Sequence, residues 1–232
     1  MSGPGSSVAV VFVKICGITC AEDALLATAL GADALGFVFA PSRRQVSESV
    51  VRDIVGQLPH DVMTVGVFRD MGKARLVETV NRIGLKAAQL HGGESPATCQ
   101  WVAERVPLLI RALPAGSPDL ERFDDYHAGL LLLDSPTPGS GTVFDWALAR
   151  GTPARGRTLL AGGLTPDNVG SAIEQVDPYG VDVSTGVESG PGRKDPRLLR
   201  AFMLNARAAR PVRYEGDAER RPFDWQEEEE ER

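Results

Sequence analysis

The stretch TLLAGGLTPDNVGSAIEQVDPYGVDVSTGVESGPGRKD (158–195) decides the fold. An apolar run at 158–163 leads through two glycines into an amphipathic segment at 166–176, which starts behind Thr165-Pro166 and gives way to a second apolar run at 180–185. Short run, helical segment, short run is the pattern of a parallel βαβ unit, and near-continuous apolarity marks strands buried on both faces. The same alternation extends upstream. Short runs recur at 8–16, 34–39, 63–68, 87–91, 108–113 and 130–134, with helical segments at 21–32, 47–58, 72–84, 95–106, 117–128 and 144–150, and a last one at 195–209. Thr19 and Ser47 stand at N-cap positions, Ser95-Pro96 puts proline at a first helical position, and Gly31, Gly56 and Gly84 follow last apolar turns. Eight such units in roughly 200 residues match the small end of the α/β class (β/α)₈ TIM barrel, read as a single domain. The competitor is a doubly wound open sheet. It usually has five or six strands, and Cys16-Gly17-Ile18-Thr19 stands where its glycine fingerprint would follow the first strand.

The composition is that of an ordinary soluble globular protein. Of 232 residues, 43% are hydrophobic and 24% charged, with a net charge of −6. The acidity is local: residues 211–232 hold nine acidic and four basic side chains, so residues 1–210 are close to neutral. A near-neutral body gives nucleic acid no basic surface, and residues 211–232 read as a solvated, disordered acidic tail whose alternative is an interaction segment using Phe223 and Trp225. Residues 1–7 read as a flexible extension, leaving 8–210 as the barrel. No apolar run reaches the ~20 residues of a membrane span, and MSGPGSSVAV lacks the features of a signal peptide. Three cysteines, Cys16, Cys20 and Cys99, are too few for a disulfide framework. These features read as a cytoplasmic protein. Helix faces do not distinguish a monomer from a homodimer.

In a barrel, chemistry belongs at the C-terminal ends of the strands and in the loops after them. Cys16 ends the first strand in VKICGIT (13–19), where a thiol able to form thiolate would accept a proton; its other reading is a small buried hydrophobe. Such a thiol should be accessible and alkylate ahead of Cys20 and Cys99, which are placed on helices. Lys14, two residues before Cys16, faces the same way, to assist the site or to pair within the barrel. Asp134 follows four leucines in LLLLDS (130–135). A carboxylate there is costly without a task, and partial desolvation would make it a proton donor near neutral pH. Asp182, inside the eighth strand, is read equally as structural or functional. Gly162 and Gly163 after strand seven, and Ser184, Thr185 and Gly186 after strand eight, lie where barrels bind phosphate through backbone N–H groups and hydroxyls. Arg44, beside Arg43, offers a fork for a carboxylate or is solvated surface, and His91 in AAQLHG (87–92) is packed or touches substrate. Apart from Cys20, no cysteine or histidine lies at zinc-ligand spacing from Cys16, and one such pair is an incomplete metal site.

Taken together, VKICGIT, GADALGFVFAPSRR, VGVF, AAQLHG, LLLLDS, GSGTVFDW, AGGLTPDNV and VDVSTGVESGPGRKD, in order from residue 13 to 195, resemble the phosphoribosylanthranilate isomerase family. The resemblance implies an Amadori rearrangement of a phosphorylated aminoaldose to an aminoketose, with neither cofactor nor metal. It implies Cys16 as general base, Asp134 as general acid and Arg44 as the partner of the anthranilate carboxylate. His91 and Asp182 join Arg44 as expected substrate contacts. The tail beyond 211 and Val143 ahead of Phe144 depart from the family pattern. Indole-glycerol-phosphate synthase is the nearest alternative enzyme, but its catalytic lysine is absent from strand ends two and three. A silent scaffold would be expected to have lost Cys16 or Asp134.

Overall fold

The computed structural model describes residues 11–136, 145–149 and 157–209. The extension at 1–7, the loop around Val143 and the tail at 211–232 lie outside the described residues. Eight strands, β1 (Phe12–Cys16), β2 (Ala34–Val38), β3 (Met63–Phe68), β4 (Ala87–Leu90), β5 (Leu109–Pro114), β6 (Leu130–Asp134), β7 (Thr158–Leu160) and β8 (Gly180–Val183), pair in parallel and close into a barrel in sequence order. All eight expected strands are present. Closure is made by β8 against β1, with Lys14 opposite Asp182.

The four leucines of β6 show why an unbroken apolar run is needed. Leu130 and Leu132 pack inside the barrel with Phe12, Met63, Ile110 and Leu159, whereas Leu131 and Leu133 pack outward in the cluster shared with the helices. Side chains alternate across a strand, so both faces require apolar residues when both are covered. The inner face changes character along the strands. Phe12, Lys14 and Cys16 follow one another on β1, and Leu130, Leu132 and Asp134 on β6. The core is therefore apolar at the N-terminal end of the barrel and polar at its mouth.

Helices α1 (Ala21–Ala29), α2 (Glu48–Val55), α3 (Lys73–Ile83), α4 (Pro96–Ala103), α5 (Val169–Val176) and α6 (Pro196–Ala208) surround the strands. Ser47 and Ser95 cap α2 and α4 by accepting from the N–H groups of Val50 and Thr98, each cap worth about 1 kcal/mol. Several local expectations fail. The residue before α1 is Cys20, with no side-chain cap bond, and Thr19 instead donates its hydroxyl to the Gly192 carbonyl. Thr165-Pro166 opens a turn, because Asn168 Oδ1 accepts from Thr165 N–H at 2.8 Å and the helix begins only at Val169. Segment 117–128 is a 3₁₀ helix, Pro118–Tyr126, interrupted by non-helical backbone at Arg122, and 144–150 shortens to a 3₁₀ turn, Trp146–Ala149. The eighth run stops at Val183. A 3₁₀ turn, Thr185–Val187, follows it, and then an unanticipated hairpin of β9 (Glu188–Gly190) and β10 (Arg193–Lys194).

Candidate active site

A cavity of about 440 Å³ opens at the C-terminal end of the barrel, a size suited to a small ligand. All ten residues expected to act on the substrate or to hold it or its phosphate line it. Cys16 and Asp134 do so from β1 and β6, which are separated around the closed sheet by β7 and β8, so their tips face across the mouth.

Asp134 is held on both oxygens. Its Oδ1 accepts from Ser135 N–H at 2.8 Å, and Oδ2 lies 3.2 Å from His91 Nε2. His91 Nδ1 is in turn 3.0 Å from Gln89 Nε2. His91 thus bridges the Gln89 amide and the Asp134 carboxyl through its two ring nitrogens. Gln89 lies in β4, two residues before His91, which immediately follows the strand. Polar residues at that spacing within an apolar run were the signal that would have found it.

Arg44, from the loop after β2, presents Nε and Nη2 to the two oxygens of Glu188, both at 2.7 Å, and Nη2 also donates to Thr185 Oγ1 at 3.1 Å. These bonds use Nε and both N–H groups of Nη2 and leave the two N–H groups of Nη1 for a further carboxylate. Glu188 also accepts from the buried Lys194, whose Nζ donates to the Cys16 carbonyl at 2.6 Å and the Ser184 carbonyl at 3.1 Å. One ammonium thereby ties together the ends of β1 and β8. Burial pushes the Lys194 pKa down, only partly offset by Glu188. Burial opposes the Glu188 charge too, but hydrogen bonds from Arg44 and Lys194 hold that carboxyl below its ordinary value. Sequence reading missed Glu188 and Lys194, although both lie within the quoted VESGPGRKD; their pairing depends on a hairpin that no local pattern announced.

Lys14 and Asp182 pair at 2.7 Å, Asp182 lining the cavity and Lys14 being fully buried. Breaking such a pair by removing one partner strands a buried charge and costs about 3–5 kcal/mol. Burial works against the Lys14 charge, but Asp182 and Cys16 more than offset it, and its pKa lies above the ordinary value. The thiol of Cys16 is pushed up by burial, with Lys14 as the largest opposing influence. Its accessibility differs from expectation. Cys16 is 8% exposed and Cys20 half-buried, so Cys20 is the thiol that reagents meet first; nor is Cys20 on a helix, since it immediately precedes α1. Cys99, within α4, is buried as expected, and burial pushes its thiol up to about 11. Among the described residues no three His, Cys, Asp or Glu side chains gather as a metal site.

The two glycine-bearing loops meet. Gly162 and Gly163 both have positive φ, +87° and +69°, which glycine adopts without penalty. A Cβ at Gly186 would lie 1.9 Å from the Leu164 carbonyl oxygen, so the loop after β8 rests directly on the loop after β7. Gly186→Ala is expected to part them and to raise KM at least several-fold with a smaller fall in kcat; steady-state kinetics on the folded variant check this. An unchanged KM would show that the contact is irrelevant to binding.

Known proteins share this chain's sequence and its barrel. The family model for N-(5'-phosphoribosyl)anthranilate isomerase matches residues 13–205. The N-(5'-phosphoribosyl)anthranilate isomerase of Desulforudis audaxviator is 47% identical over 201 residues, covering 85% of this chain and 98% of the relative. The crystal structure of the Thermus thermophilus phosphoribosyl anthranilate isomerase superposes with a TM-score of 0.79 at 43% identity, covering 84% of this chain and 98% of that one. A further phosphoribosyl anthranilate isomerase, solved in complex with reduced 1-(o-carboxyphenylamino)-1-deoxyribulose 5-phosphate, gives 0.75 at 43% identity with the same coverage. With a matching family model, close relatives matched over nearly their whole length and the barrel in common, the chain belongs to the N-(5'-phosphoribosyl)anthranilate isomerase family.

Proposed function

We propose that the protein converts N-(5-phosphoribosyl)anthranilate to 1-(2-carboxyphenylamino)-1-deoxyribulose 5-phosphate in tryptophan biosynthesis, with Asp134 as general acid and Cys16 as general base. The observation that carries this reading is the placement of these two groups on opposite sides of one cavity. The reaction needs two proton transfers of opposite sense. Asp134 gives its proton to the ribose ring oxygen as the bond from that oxygen to C1 breaks, and the nitrogen lone pair forms the C1–N double bond of a Schiff base. The Cys16 thiolate then takes the proton from C2. The electrons of that C–H bond form a C1–C2 double bond, the imine pair returns to nitrogen, and the enolamine tautomerises by protonation at C1 and loss of the hydroxyl proton at C2. C2 is oxidised to a ketone and C1 reduced, so no external redox partner enters the balance.

Substrate recognition follows the cavity wall. The phosphate is assigned to Gly162-Gly163 and Ser184–Gly186, where backbone approach is open, and the anthranilate carboxylate to Nη1 of Arg44, which Glu188 and Thr185 leave free. Asp182 has a second carboxylate oxygen to offer a ribose hydroxyl, and His91 stands beside the acid. The reduced product bound by the relative carries the same phosphate and carboxylate. Purified protein should abolish the anthranilate-type fluorescence of N-(5-phosphoribosyl)anthranilate. Stable fluorescence in the presence of folded protein would reject the assignment.

A further inference from the structure

Lys14 has no part in the steps above, yet it is a fully buried cation next to the proposed base. In the β1–β8 ladder Lys14 lies opposite Asp182, and the two side chains meet at 2.7 Å inside the barrel. Cys16 is two residues further along β1, so it projects from the same face one pleat nearer the mouth. On the other flank of β1, Gly36 of β2 is the register partner of Cys16. A Cβ there would stand 2.8 Å from Cys16 Sγ and 3.2 Å from Lys14 Nζ. The missing side chain leaves one methyl-sized space bordered by both thiol and ammonium.

We propose that Lys14 is a positioning residue for Cys16: its ammonium, fixed by Asp182 and admitted by Gly36, is the cation that stabilises negative charge on Sγ when the thiol gives up its proton. The inference deepens the proposed function, since its consequence for turnover rests on Cys16 being the base. Four charged groups act on the thiol: Lys14 from β1, Asp182 from β8, Lys194 from β10 and Arg44 from the loop after β2. Two of the cations are committed elsewhere. Lys194 spends its three N–H groups on the carbonyls of Cys16 and Ser184 and on Glu188, and Arg44 gives one edge to Glu188. Lys14 commits one N–H to Asp182 Oδ1. Burial pushes the thiol up, Lys14 is the strongest pull back, and Asp182 pushes up again. The two members of the ion pair thus act on the thiol with opposite signs.

The test is the pH dependence of Cys16 alkylation by iodoacetamide in the full-length protein, with the modified peptide distinguished from those of Cys20 and Cys99 by mass spectrometry. Lys14→Gln should move the alkylation midpoint up by about one pH unit or more, as expected when a close opposite charge is removed. Asp182→Asn should move it down, because the Lys14 charge is then left to the thiolate alone. An unmoved midpoint in Lys14→Gln, or a shift of both variants in the same direction as loosened packing would give, overturns the proposal. If Lys14→Gln fails to fold, Asp182→Asn decides alone: a downward shift supports the proposal, and an unmoved or raised midpoint refutes it. Alkylation reports the thiol whether or not it is the base. An active Cys16→Ser variant would sink the base assignment without touching these profiles.

Discussion

Asp134→Asn is expected to lower kcat by about 10²-fold or more, the scale of a lost acid–base group, with folding intact. Asparagine keeps the size and leaves an oxygen to accept from Ser135 N–H, so the bond that anchors Oδ1 at 2.8 Å survives. What disappears is the titratable proton. Because the ring oxygen must be protonated before the sugar opens, the loss falls on the first chemical step, and KM should change much less than kcat. Thermal unfolding measured beside the kinetics separates lost chemistry from lost structure. Turnover of Asp134→Asn near the wild-type rate would remove the acid from this position.

Cys16→Ser is expected to cost at least as much, again about 10²-fold or more, for a different reason. A serine hydroxyl fits the space beside Gly36 but is a far poorer base than a thiolate, so C2 keeps its proton and substrate binds almost as before. Cys20→Ser and Cys99→Ser should stay active, since one thiol lies ahead of α1 and the other is buried in α4, away from the cavity. The reagent order expected from the sequence does not hold, with Cys20 the more exposed thiol, but protection by a phosphate-bearing ligand should still single out Cys16. Retained turnover in Cys16→Ser would direct the search for the base to Lys14, Asp182 and His91.

The eight strands were readable because a parallel strand covered on both faces must be apolar throughout, and the short length of each run between turn residues separates it from a buried helix. The strand-end rule then pointed to Cys16, Asp134 and the paired glycine loops, all of which line the cavity. Helix starts were less legible. Thr165-Pro166 has the composition of a helix start, but a side-chain bond from Asn168 makes it a turn, and only the backbone geometry separates the two. The partners that orient the site were the least visible. Glu188 meets Arg44 across 144 positions and Lys194 meets the Cys16 carbonyl across 178, and nothing local in either residue specifies a partner so distant. Lys14 lay between: alternation put it on the thiol's face, and the β1–β8 register supplied Asp182.

A crystal structure of this protein with reduced 1-(o-carboxyphenylamino)-1-deoxyribulose 5-phosphate tests the division of labour most directly, because the bound molecule carries every group that the cavity is assigned to hold. The expected complex has its phosphate on the backbone of Gly162-Gly163 and Ser184–Gly186 and its aryl carboxylate on Arg44. Cys16 Sγ and the Asp134 carboxyl should lie on opposite sides of the sugar-derived chain, each roughly 3–4 Å from the atom it serves. A ligand bound in that cavity with C1 and C2 out of reach of Cys16, or with its phosphate away from the two glycine loops, would contradict the account.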